Sequence, residues 1–152
     1  MTRSERLDPL IRVVQQRQDE VARKVGERDR AQAEQEVRLD ALRRYAEEYS
    51  AAPTMATIAP ALLANRLAFR AKLDAAVAQQ STVVDHGRQH CEVERTRLML
   101  ASRETKVLEK LAASYRTQES RVTEQRSQRE LDDLGARRTR AQPGAVDGDV
   151  SG

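Results

Sequence analysis

The sequence predicts an all-α protein, an antiparallel two-helix coiled-coil hairpin whose second helix is the longer. Three observations carry that prediction. Charged residues make up 34% of the chain and aromatics only 3%, with six glycines and four prolines in 152 residues, a balance that suits long helices rather than a layered domain. Apolar residues recur at alternating steps of three and four through two long stretches, which is the mark of a heptad seam. Between them lies one short connection, "SAAPTMATIAP", where Pro53 and Pro60 push the residues before them out of the helical region.

The first helix is expected within residues 1–50. Asp8-Pro9 reads as an N-cap followed by proline at the first helical position, where a missing N–H costs nothing. Its seam runs Ile11, Val14, Gln18, Val21, Val25, Arg28, Gln32, Gln35, Leu39, Leu42, Ala46, Tyr49. The middle of that seam, Arg28 to Gln35, is polar; such positions weaken a coiled coil but can fix its register. Residues 51–60 form the turn. The second helix is expected over 61–138, with a seam of Leu73, Val77, Gln80, Val84, Gly87, Cys91, Glu94, Leu98, Ala101, Thr105, Leu108, Ala112, Tyr115, Glu119 and Val122. The last residues, 139–152, are small, polar and without period, and are expected to be disordered.

A short turn makes the helices antiparallel neighbours, with residue i opposite roughly 112 − i. Gln32 then faces Gln80. The same arithmetic leaves about 30 residues of the second helix, from Arg103 onward, with no partner in the chain. That overhang carries Leu108, Leu111, Tyr115 and Val122, and a helix with an uncovered apolar stripe is marginal alone. It is expected to be gripped by another protein.

Composition also excludes. The net charge is only +3, with arginines interspersed among acids, so no one-signed basic patch speaks for a nucleic-acid partner. One cysteine, Cys91, cannot form an intramolecular disulfide. The N-terminus has no apolar leader segment, and no stretch of about 18 apolar residues could span a bilayer; the membrane is expected to be reached only through partner proteins. His86, His90 and Glu94 lie four apart on one helical face, a spacing that can share zinc, but a two-helix hairpin offers few further ligands. No P-loop, nucleophile elbow or dinucleotide turn is present. No catalytic residue, cofactor or metal is expected.

The only phenylalanine stands out. Phe69, Leu73, Ala76 and Gln80 form a second stripe at steps of four, three and four, sharing Leu73 and Gln80 with the seam. Phe69 either closes the end of the coiled coil or serves as an aromatic anchor for a partner's groove.

Several of these residues resemble the flagellar export FliJ family. "LRRYAEEYS" closes the first helix with Tyr45 and Tyr49, "ANRLAF" and "LDAAVAQQ" open the second, and Gly26-Glu27 lies within the first. The resemblance implies a non-enzymatic component of the bacterial flagellar type III export apparatus, similar in fold to the stalk subunit of rotary ATPases. It implies three kinds of partner: the hexameric export ATPase, the export gate protein FlhA, and unladen export chaperones. It places the chain in the cytoplasm at the flagellar base, peripheral to the inner membrane. A family surface of the form Phe-x3-Leu-x2-Ala-x3-His, associated with gate binding, falls on Phe69, Leu73, Ala76 and Gln80, the last being glutamine where the family has histidine. The overhang residues Leu108, Leu111, Tyr115 and Val122 would then enter the ATPase ring. The open alternatives are the stalk of a virulence-type secretion system, a self-associating structural coiled coil, and a helix binding nucleic acid through its terminal arginines.

Overall fold

The computed structural model describes residues 1–52, 59–142 and 144. Among them are two α-helices and no strand: α1, Arg3–Ala51, and α2, Pro60–Ala141, packed against each other as an antiparallel hairpin. The expected all-α coiled-coil hairpin is the observed fold. The expected disordered tail lies outside the described residues from 145 onward, while residues 139–141 belong to α2.

α1 starts six residues before Pro9, which sits inside the helix, so Asp8 is not its N-cap. The cap is Thr2. Its hydroxyl accepts from the Glu5 amide (3.3 Å), and the Glu5 carboxylate accepts from the Thr2 amide (2.8 Å), the reciprocal capping box of a T-x-x-E sequence. The box supplies partners for two N–H groups, and helical bonding from Thr2 onward carries the chain through the proline.

The chain divides into two compact units. The first joins residues 1–12 to α2 from Lys106 onward. Here the buried Ser4 donates its amide (3.0 Å) and its hydroxyl (2.6 Å) to the two carboxylate oxygens of Glu119. Arg116 donates to Asp8 at 2.9 Å, and the Arg3 guanidinium lies 5.9 Å from the centre of the Tyr115 ring. Ala112 is buried, and Leu108 and Tyr115 are half-buried. The expected bare overhang from Arg103 is therefore wrong over its first two-thirds: the early turns of α1 cover it. From Val122 through Ala141 every residue of α2 is exposed.

The second unit, Val13–Thr105, holds the rest of the hairpin. Val14, Leu39, Leu73, Val84, Cys91, Ala101 and Thr105 are its buried seam. Every predicted seam residue of α1 is at least half-buried except Arg28, which faces solvent. The register differs from expectation by about one heptad, because Gln32 packs against Gly87 rather than Gln80. A slip of seven residues returns every seam position to the seam, so the apolar pattern alone does not fix it. The polar middle does. Gln32 donates to the Val84 carbonyl (2.9 Å) and Gln80 donates to the carbonyl and side-chain oxygens of Gln35 (3.0 and 2.8 Å). Arg88 pairs with Glu36 and Arg95 with Asp29, each at 3.3 Å.

Candidate partner-binding surfaces

At the turn end of the second unit, three aromatics meet. Phe69 from α2 sits edge-on to Tyr49 (4.9 Å between ring centres) and to Tyr45 (6.4 Å), both from α1. Such edge-to-face pairs add roughly 0.5–1.5 kcal/mol beyond area burial. Phe69 is still 40% exposed. The ring thus closes the seam on one edge and presents the other to solvent.

Arg66 fastens the same end. Its guanidinium donates to the Ala52 carbonyl at 2.9 Å and stacks 5.6 Å from the Tyr49 ring centre. α1 has no basic residue in its last turn, and no described residue adopts the positive φ of a glycine-type C-cap. The cation that a helix C-terminus favours is therefore supplied by the other helix. Sequence reading missed Arg66 because local capping rules look only along one helix.

Of the four residues expected to face the gate, the structure brings only part to the surface. Phe69 is exposed and Ala76 half-buried. Leu73 is buried in the seam, and the Gln80 amide is engaged with Gln35. Phe69 has company on its own face in the exposed Leu62, seven residues earlier, whereas the exposed Leu63 and Leu67 point to other faces of α2. An open depression of about 650 Å³ lies beside the ring, lined by Tyr49, Leu62, Arg66 and Phe69 among others.

Of the four overhang residues, Leu108 and Tyr115 are covered within the first unit, while Leu111 and Val122 are exposed. The exposed apolar side chains continue on the unpaired part of α2 with Leu131 and Leu134, between Arg129 and the cluster Arg137, Arg138 and Arg140.

The remaining chemistry is modest. His86 and His90 are exposed, whereas Glu94 turns toward the seam and pairs with Arg97 at 2.9 Å. Among the described residues, no three or more His, Cys, Asp or Glu side chains gather as metal ligands. Burial pushes the Cys91 thiol up from its ordinary pKa, and the adjacent Asp29 carboxylate adds to the shift. No described helix is long and apolar enough to cross a membrane.

Comparison with known families identifies the hairpin. The family described as Flagellar FliJ protein matches residues 3–144. The chain belongs to the flagellar FliJ family. Membership makes it, at the family level, a component of flagellar protein export with a structural rather than catalytic character. The match takes in all of both helices, so the polar middle and the aromatic end are both within the FliJ region. No curated protein and no solved structure matches this FliJ-family chain.

Proposed function

We propose that this FliJ-family chain links the export ATPase hexamer to the gate protein FlhA and escorts export chaperones, catalysing nothing itself. The observation that supports it best is the half-exposed aromatic at the turn end. An apolar ring already locked on one edge by Tyr45 and Tyr49 loses little conformational freedom on docking, as an interface anchor should. The gate surface is then Phe69 with Leu62 beside it on the same face of α2. Leu73 and Gln80 act from behind, holding α2 against α1 so that the ring is presented.

The ATPase is assigned to the other unpaired element. Val122, Leu131 and Leu134 offer apolar contacts on a helix that nothing in the first unit covers. On this reading the chain works in the cytoplasm, at the inner-membrane base of the flagellum, and meets the membrane only through its partners.

The test is a pulldown of purified chain with the ATPase and with the cytoplasmic domain of the gate. Phe69→Ala is expected to weaken gate binding by about tenfold, the scale of one aromatic anchor, with ATPase binding retained. Phe69→Leu, which keeps apolar bulk, controls for packing. Truncation after Val122 should remove ATPase binding while far-UV circular dichroism still reports a helical hairpin. Undiminished gate binding by Phe69→Ala, or ATPase binding by the truncated chain, would overturn the respective assignment.

A further inference from the structure

The two flanks of the seam in the second unit are not alike. On one flank, Asp29, Glu36, Arg88 and Arg95 neutralise one another in two ion pairs that cross from helix to helix. The other flank is a groove of about 330 Å³ between the helices, lined by Arg28, Ala31, Gln35, Val83, His86 and His90 among others. Not one lining residue is a carboxylate.

Arg28 is the seam residue that the structure turns outward, and it makes no salt bridge among the described residues. His86 and His90 are exposed one turn apart. Exposed apolar Val83, Val93 and Leu100 share a line with the two histidines: Val83, His86, His90, Val93 and Leu100 follow at steps of three, four, three and seven, which is heptad spacing on a face that α1 does not cover. A guanidinium and two imidazoles, all hydrogen-bond donors, thus sit beside an apolar strip.

The geometry points to a docking groove for an acidic amphipathic helix of a partner protein, laid against the Arg28, His86 and His90 flank as a third helix. Its apolar residues would cover Val83, Val93 and Leu100, and its carboxylates would accept from Arg28 and the two imidazoles. Charge complementarity selects this occupant. A basic helix would bring its cations against Arg28 with no carboxylate in the groove to offset them, whereas the opposite flank has already satisfied its charges internally. The groove is independent of Phe69 and of the α2 residues assigned to the ATPase, so it stands or falls separately from the proposed function.

The probe is a fluorescein-labelled helical peptide of about three heptads, with leucine at the a and d positions and glutamate at the flanking e and g positions. A second peptide carries lysine in place of glutamate. Titrated into the full chain and followed by fluorescence anisotropy, the glutamate peptide is expected to bind at least about tenfold tighter than the lysine peptide. The double variant His86→Glu with His90→Glu changes two exposed helix positions, so its circular dichroism should match the parent chain. It is expected to invert the preference. Val93→Lys should weaken both peptides. Equal binding of the two peptides, or an unchanged preference in the double variant, would overturn the proposal. So would sedimentation showing that the chain fills the groove with a second copy of itself, through its own acidic, leucine-bearing turn Glu130 to Leu134.

Discussion

Replacing Gly87 with alanine sets two opposing effects against each other. In a helix interior the change gains about 1 kcal/mol from propensity. In this structure, however, a methyl group at Gly87 collides with the Gln32 carboxamide oxygen. Gln32 must leave, breaking its hydrogen bond to the Val84 carbonyl, worth about 1 kcal/mol, and stranding a half-buried amide at a further 1–3 kcal/mol. The expected net effect is a destabilisation of about 1–3 kcal/mol, which lowers Tm by roughly 2–12 °C. The decisive comparison is the same substitution in a Gln32→Ala background. There the obstruction is gone, only the propensity gain remains, and Gly87→Ala should raise Tm. Thermal melts of the four proteins by circular dichroism give the coupling between the two positions, expected at about 2 kcal/mol or more. Equal effects of Gly87→Ala in the two backgrounds would refute the idea that glycine is there to admit Gln32 and so to hold the register.

Other consequences can be checked as readily. The Ser4 side-chain and backbone hydrogen bonds hold the Glu119 carboxyl below its ordinary value of 4.5, so this contact stabilises the fold above that pH and is lost as pH falls through the lower folded value. Amide exchange in residues 3–12 should accelerate on acidification, and Ser4→Ala should bring the Glu119 titration midpoint, followed by NMR, back up toward 4.5. The Cys91 thiol, buried and shifted upward, should react slowly with a disulfide reagent at neutral pH and quickly once the chain is unfolded in guanidinium. Arg66→Ala removes both the bond to the Ala52 carbonyl and the stacking on Tyr49, and is expected to cost about 1 kcal/mol, with increased exchange confined to the last turn of α1. Truncation after Thr105 should melt residues 3–12, because Tyr115, Arg116 and Glu119 are their partners; retained protection there would contradict the pairing described.

The seam was legible because burial along a two-helix contact depends on little besides heptad spacing. Of the predicted positions only Arg28 and Val122 are exposed. Arg28 has a long charged side chain that can leave the seam more cheaply than be buried, and Val122 lies past the point where α1 begins. The start of α1 was misread for a local reason: Asp8-Pro9 is a strong helix-start signal, but Thr2 and Glu5 form a capping box upstream of it, and a proline early in a helix is tolerated. That error removed the covering for Leu108 and Tyr115. The register error compounded it, since apolar spacing is blind to a shift of one heptad and the discriminating contacts are side chains such as Gln32 on Gly87. At the candidate gate surface, the pattern set Phe69 to the side of the seam, where its ring is partly exposed, but it could not show that the Gln80 amide is occupied by Gln35 or that Arg66 reaches across to the end of α1.

The exposed end of α2 owes its helicity to what lies upstream. Residues 123–141 make no contact with α1 that would hold them, and an excised peptide of that length would start each helix from an unfavourable first turn. Here the first turn is already formed at Tyr115 and Glu119, so every later residue only extends a growing end. Order should therefore decay smoothly toward Ala141, and a single proline at Gln125 should release everything after it into coil. A protein that captures this tail meets a helix already begun, and spends its binding energy on contacts instead of on nucleating one.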